Sequence, residues 1–294
     1  NTVWEHGAQF LFMLVLGTGG LGRMGAVTAG EGTYDIFMVN GDAMDGGYAD
    51  YIGAGYWMDR GIYDNMISFQ SPEFAGITAF AQYSFGTSGD DMMPSRDKER
   101  YAALGATFST GNFSAVAVVD TVMKNRQTVT GYDKAIDDAM AFSIGANYDM
   151  GFMKPFIGFQ YGQHEQMIGG VPGVETDETK SYVGDLDGYA VAVGSAFPIW
   201  GGELQVSVYY ADGDGKAYGY YQDETTQSPE VFKMNVKRYG VALFHNYELS
   251  KRTSLYAGIG YDYQEYDESD VNSSEKEHFE QDSVQVGVGL VHNF

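Results

Sequence analysis

The chain has 294 residues, no cysteine, and a formal charge of −23 from 40 carboxylates against 17 lysines and arginines. The missing cysteines exclude disulfide scaffolds and thiolate metal sites, and the acidic balance argues against nucleic acid, whose binding rests on cations facing phosphates. Forty glycines, 23 tyrosines and 18 phenylalanines against six prolines point to β-structure with many turns.

Mean hydropathy is −0.26, and no run reaches the roughly 18 apolar residues of a spanning helix. The longest run, 10–16, lacks the basic start and small-residue cleavage site of a signal peptide, so the chain is expected to be already processed. Low hydropathy leaves a membrane barrel open, because a barrel strand shows lipid only every second residue.

Taken in order, residues 1–16 supply one strand or two joined pieces, and a strand follows that ends near Arg23 and Met24. The next connection, 25–63, is the longest in the chain. It carries Asp35, Asp42, Asp45, Asp50 and Asp59 among Ile36, Phe37, Met38, Val39, Met44 and Trp57. A connection of this length is usually functional or disordered, and this one is too apolar for a disordered outside loop. It is expected to pack on the inner wall of a barrel.

From Asp64 the chain keeps one rhythm, with strands expected over 64–71, 76–87, 99–109, 112–123, 139–149, 152–163, 188–197, 202–212, 233–248, 252–264 and 283–294. Tight turns fall at 71–76, 109–112, 149–152, 198–202 and 249–252, rich in the Gly, Pro, Asn and Ser that accept chain-reversing angles. Long loops fall near 88–98, 124–138, 164–187, 213–232 and 265–282. Short and long connections alternate, which sorts all the short ones to one end, the asymmetry of outer-membrane barrels.

The strands are two-faced. In the last, Val284, Val286, Val288, Leu290, His292 and Phe294 share one face, and Ser283, Gln285, Gly287, Gly289, Val291 and Asn293 the other. Leu204, Val206, Val208 and Tyr210 are expected toward lipid against Gln205, Ser207, Tyr209 and Ala211 toward a lumen. Phe142, Ile144, Ala146 and Tyr148 oppose Ser143, Gly145 and Asn147 in the same way. Strand 188–197 is ambiguous, with both faces apolar or small. Phe108, Phe113, Tyr148, Phe197, Tyr247, Tyr263 and Phe294, near strand ends, fit interfacial girdles. The acidic residues Asp185, Asp187, Asp212, Asp214, Asp223 and Glu224 and those of 265–282 are placed in loops, where Ca or Mg among lipopolysaccharide phosphates would suit their oxygens, although no loop carries a full ligand spacing.

Four motifs resemble the trimeric general porins of Gram-negative outer membranes, β-proteobacterial type. They are Tyr247–Tyr256 (YELSKRTSLY), Ser71–Gly76 (SPEFAG) preceded by Arg60 and Asp64-Asn65, Gly17–Arg23 (GTGGLGR), and Gly289–Phe294 (GLVHNF), with Val291 where a basic residue is usual. The resemblance implies a single all-β domain over 1–294. Its fold is a sixteen-stranded antiparallel transmembrane barrel of which about 12–13 strands are readable here, assembled as a homotrimer in the Gram-negative outer membrane. Its third loop, 25–63, would fold into the lumen. Because only about 16 residues precede the strand that opens that loop, N-terminal segments are expected to be missing from the sequence, in preference to a twelve-stranded barrel.

By the same resemblance the pore constriction consists of Asp35, Asp42, Asp45 and Asp50 on the loop, facing Arg23 and Arg60 on the wall. Ser68 stands where the family often has a wall arginine. Passive diffusion of small hydrophilic solutes and ions follows, with cations preferred and no cofactor. Partners are lipopolysaccharide and membrane lipids, with no nucleic acid. A sugar- or dicarboxylate-selective channel, using Tyr34, Tyr48, Tyr51 and Tyr56 as a stacking track, is the alternative. No enzyme is expected: His245 and His292 take the lipid-facing parity, and His164 and His278 sit alone in acidic loops, short of a nucleophile–base group.

Overall fold

The computed structural model describes residues 8–12, 17–25, 62–87, 99–124, 137–166, 180–221, 230–270 and 276–292. They form thirteen strands: β1 (Ala8–Phe12), β2 (Gly17–Gly25), β3 (Ile62–Gln70), β4 (Ile77–Ser84), β5 (Arg100–Thr110), β6 (Phe113–Met123), β7 (Ala139–Tyr148), β8 (Lys154–Glu165), β9 (Lys180–Phe197), β10 (Gly202–Tyr221), β11 (Glu230–Ser250), β12 (Thr253–Asp270) and β13 (Lys276–His292). Each pairs antiparallel with the next in one sheet of order β1 to β13. Thirteen is the upper end of the number readable from sequence; the sixteen of the resemblance are not reached among the described residues.

All eleven strands expected after Asp64 form, and the short turns fall where the sequence puts them. The turn glycines Gly76, Gly111, Gly151 and Gly201 all have positive φ, from 56° to 82°. At Gly76 a Cβ would also lie 2.3 Å from the Ser109 carbonyl oxygen, so a left-handed backbone and a close approach both require glycine there.

The boundaries of β9 to β13 need correction. Within the expected loops 164–187, 213–232 and 265–282, residues 180–187, 213–221, 230–232, 265–270 and 276–282 are strand: Asp212 pairs with Lys237, Asp214 with Asn235, Asp267 with His278 and Glu265 with Glu280. Carboxylates at alternate positions read as loop polarity in the sequence. Here they occupy one face of a continuing ladder, where Lys237, Asn235 and His278 support Asp212, Asp214 and Asp267 across the strands, while the like-charged Glu265 and Glu280 draw on Lys237 and His278. The run Asp212-Gly213-Asp214-Gly215 is therefore strand and not a turn. Asp223 and Glu224 lie outside the described residues.

Burial separates the two faces as the alternation predicts. Along β7, Ala139, Ala141, Ser143, Gly145 and Asn147 are buried, while Met140, Phe142, Ile144 and Tyr148 are exposed. On β13, Val284, Val286, Val288 and Leu290 remain 59–75% exposed. Strand β9 resolves its ambiguity: Ala190, Ala192 and Ala196 are buried, and Tyr189 and Val193 face out. An exposed apolar face this wide is a liability in water and the required surface in lipid.

Aromatic side chains border that face at both ends. Phe74, Phe108, Tyr148, Phe152, Trp200 and Tyr247 stand exposed at the turn end. Tyr161, Tyr189, Tyr210, Tyr239, Tyr261 and Tyr263 lie toward the other end, Tyr239 and Tyr263 with ring centroids 4.9 Å apart. Of the expected girdle residues, Tyr263 belongs to the loop end and Phe294 lies outside the described residues. From Tyr239 to Tyr247 the chain runs ~27 Å at strand rise, the scale of the ~25 Å apolar band of outer-membrane barrels.

Candidate pore lining

The buried face is the candidate site, because it is the surface that a closed wall would turn toward a lumen. Ser68 on β3 lies on it: Ile67 and Phe69 are 44% and 40% exposed, and Ser68 between them is 7%. It pairs with Gly20 of β2 and Gln82 of β4, itself buried. Arg23 lies on β2 beside the irregularity between Gly22 and Met24. Asp35, Asp42, Asp45, Asp50 and Arg60, the tyrosines of the alternative track and nearly all of 25–63 lie outside the described residues. The described residues show where that segment leaves and returns. Gly25 pairs with Ile62 at the end of β2 and β3 opposite the short 71–76 turn, so it opens from the long-loop end.

The inner face is more mixed than an evenly polar lumen wall. Ser84, Gln160 and Ser207 are buried on it, together with Asp120, Lys124 and Glu165. Lys124 donates from Nζ to the His164 carbonyl at 2.8 Å. Among the described residues, Ser68 Oγ, Ser143 Oγ, Gln205 Oε1 and Asn246 Oδ1 are buried without a hydrogen-bond partner. Such oxygens are costly in an apolar interior and ordinary on a wetted wall. Interleaved with them is an apolar cluster that includes Phe80, Val116, Val118, Phe156, Leu186, Met234 and Val236. Sequence reading missed that cluster, since β6 is apolar on both faces and gives no phase to follow.

Aromatics on this face lie across glycines of the adjacent strand. Phe80 opposes Gly105, Phe156 opposes Gly194, Tyr209 opposes Gly240 and Tyr256 opposes Gly289. A Cβ at any of these glycines would come within 2.4 Å of the ring or its hydroxyl, or of the backbone beside it. The rings therefore lie along the wall and do not stand into the lumen, the arrangement in which an aromatic shields a strand glycine. One of them, Tyr209, donates to Asp262, which also accepts from Arg238 Nε at 2.6 Å.

Beyond the tyrosine girdle the outer face becomes ionic. Asp185, Asp187, Asp212, Asp214, Glu265, Asp267, Glu280 and Asp282 share it with Lys216, Lys233, Lys237 and His278. Lys237 lies 3.2 Å from Glu265. His278 was expected to stand alone, but its Nδ1 is 2.6 Å from Asp267 and its Nε2 is 3.1 Å from Glu280. Those hydrogen bonds, Asp267 first, hold its pKa above the ordinary histidine value, and the same contact with His278 holds Glu280 below the usual carboxylate range. His164 is likewise paired, its Nδ1 2.7 Å from Asp185. Glu265, His278 and Glu280 each offer a ligand atom, all within 4.8 Å of one another. Both imidazole nitrogens already face carboxylates, so a divalent ion there would compete with an imidazolium.

Residues 16–269 match the family described as Gram-negative porin. Among solved structures the chain is similar to an anion-selective porin from Comamonas acidovorans, at 18% identity and TM-score 0.56 over 95% of this chain and 75% of that one. It is similar to the outer-membrane OmpT of Vibrio cholerae, at 15% and 0.52 over 98% and 79%. It is also similar to the outer membrane channel DcaP of Acinetobacter baumannii, at 12% and 0.50 over 93% and 71%. At these identities the structural likeness is one of fold, and no curated protein sequence matches. With most of its length matched and a lipid-facing antiparallel sheet to carry the match, the chain belongs to the Gram-negative porin family, the β-barrel channel proteins of the outer membrane.

Proposed function

We propose that the protein is a water-filled diffusion pore for small hydrophilic solutes, preferring cations and working as a homotrimer, with 25–63 folded into the lumen as its constriction. The observation that carries this is the opposite wetting of the two faces. Outward residues such as Val286, Leu243 and Ile259 are apolar and exposed, while inward oxygens on Ser68, Ser143, Gln205 and Asn246 await a polar partner.

Size and fixed charge then select solutes where the cross-section is narrow. Three features support cation preference: the total of −23, the inward Ser68 in place of a wall cation, and the pairing of inward Arg238 with Asp262. The apolar stretch of wall around Val116, Val118 and Phe156 supports the placement of 25–63 inside, because it offers a dry surface to Ile36, Phe37, Met38 and Trp57. On this reading Asp35, Asp42, Asp45 and Asp50 face Arg23 and Arg60 across the constriction. The acidic outer rim meets lipopolysaccharide, with Ca or Mg bridging its phosphates to carboxylates such as Glu265 and Asp282.

Planar-bilayer recording of the purified protein tests the proposal. Closure in three equal steps with a cation-directed reversal potential in a KCl gradient is expected, and excision of 26–61 raises the unit conductance. Absence of channels sinks the pore. Anion preference, or selectivity indifferent to Asp42→Asn and Asp45→Asn, sinks the charge assignment alone.

A further inference from the structure

We infer that Asp262 is a selectivity-determining residue: it cancels Arg238 on the inner wall of β10–β12, so that ions pass a neutral pair there instead of a cation. The inference rests on the pore reading above and adds to it residues outside the constriction.

The pair is built by register. Tyr209 opposes Gly240, and Gly240 opposes Asp262, so the three form one inward row across β10, β11 and β12. Gly240 leaves a gap in that row. A Cβ there would sit 2.3 Å from the Tyr209 hydroxyl, so the phenol crosses the gap and donates to Asp262 Oδ2. Arg238 is the next inward residue on β11 toward the loop end, and its Nε donates to the same oxygen at 2.6 Å. Two donors, one of them a guanidinium, therefore converge on one carboxylate oxygen.

The surroundings make the cancellation matter. The Arg238 and Asp262 side chains retain 16% and 13% exposure, enough to border the aqueous side and too little for full screening by bulk salt. The outward pair Lys237–Glu265 is at 42% and 31%, where screening leaves little field. Removing the carboxylate leaves a wall cation near the loop-end mouth, and removing the guanidinium leaves a wall anion.

The test uses the full-length protein in planar bilayers, with reversal potentials read in a KCl gradient. Asp262→Asn lowers the potassium-to-chloride permeability ratio about two- to five-fold, the effect of a unit charge at roughly lumen radius in a high dielectric. Arg238→Gln raises it by a similar factor, and the double variant returns it to the starting value. A merely structural role does not move the ratio in opposite directions. Conducting variants whose ratios stay put, or shift the same way, overturn the inference and leave the pore reading standing. Should Asp262→Asn fail to insert, Arg238→Gln decides alone: a ratio that does not rise overturns the inference. A wild-type protein that forms no channel overturns the pore reading and this inference with it.

Discussion

Leu243 and Leu255 offer a measurement in which two leucines of equal exposure respond differently to one substitution. Both point outward, at 42% and 41% exposure. Leu243 pairs with Val206 and Ile259, midway between the girdle tyrosines Tyr239 and Tyr247, while Leu255 pairs with Tyr247 and Leu290 beside the turn end. If water bathed this face, Leu→Arg at either site would change stability by less than about 0.5 kcal/mol. If lipid does, Leu243→Arg places a guanidinium near the bilayer midplane at a cost of about 2–4 kcal/mol. Leu255→Arg, within reach of the headgroups, costs about 0–1 kcal/mol. The difference, about 2–3 kcal/mol, is a roughly 30- to 150-fold change in the folding equilibrium at about 1.4 kcal/mol per decade. Urea titration of folding into phospholipid vesicles, followed by tryptophan emission, reads it directly. Equal costs at the two positions would refute the assignment of this face to lipid, and with it the depth scale drawn from the tyrosines.

Gly240→Ala is expected to destabilise by about 1–3 kcal/mol as an overpacked wall position, because the new Cβ meets the Tyr261 carbonyl oxygen at 2.5 Å as well as the Tyr209 hydroxyl. Gly111→Ala has open space around it and suffers only from its φ of 56°, about 1–2 kcal/mol; urea midpoints of the two variants compare them. The His278 contacts give the rim a pH window. A raised histidine pKa contributes stability below its unfolded value that is lost as pH rises through the folded one, and a lowered Glu280 pKa contributes stability lost as pH falls through it. Hydrogen-exchange protection of 276–282 therefore peaks between those two titrations, and His278→Asn removes the upper edge; an unchanged profile refutes the role of the pair.

Much of this fold was legible because a barrel strand repeats every two residues and its short turns advertise themselves. Leu204 to Ala211 and Phe142 to Asn147 could be sorted into faces from their order alone, whereas Ser68 was put on the wall by the family resemblance and is buried there. The register at Asp262 was nearly within reach: counting from the tight turn at 251–252 puts Gly240 opposite Tyr263, and only the bulge between Glu248 and Ser250 moves it by one to Asp262. Tyr209 was not: 222–229 leaves the register of β10 on β11 free, so no spacing in the sequence brings the phenol to Asp262. Val116 and Val118 escaped for another reason. Alternation carries information only when the faces differ, and β6 is apolar on both. The histidines were misread because His164 finds Asp185 and His278 finds Asp267 across a ladder, and Glu280 reaches the His278 ring only because residues two apart share a strand face.

The early ending assigned to β9 to β13 has its own physical cause. Below the girdle these strands keep the outward phase apolar, as at Val193, Val208 and Val241. Above it the period of two continues and the phases exchange: Asp185, Asp212, Lys237 and Glu265 point out, while Leu186, Met234 and Val236 point in, each no more than 4% exposed. A search for oily outward residues stops where the lipid stops, although the hydrogen-bonded ladder runs on. The exchange is what two solvents demand of one wall, since a sheet leaving hydrocarbon for water must turn its ionic face outward and bury its apolar one. Because the continuation is paired strand and not loose loop, the rim charges are held at fixed spacing. The 3.2 Å Lys237–Glu265 and 2.6 Å His278–Asp267 contacts follow from cross-strand register, so shifting that register by one residue would dissolve the outer charge pattern and the inner Arg238–Asp262 pair together.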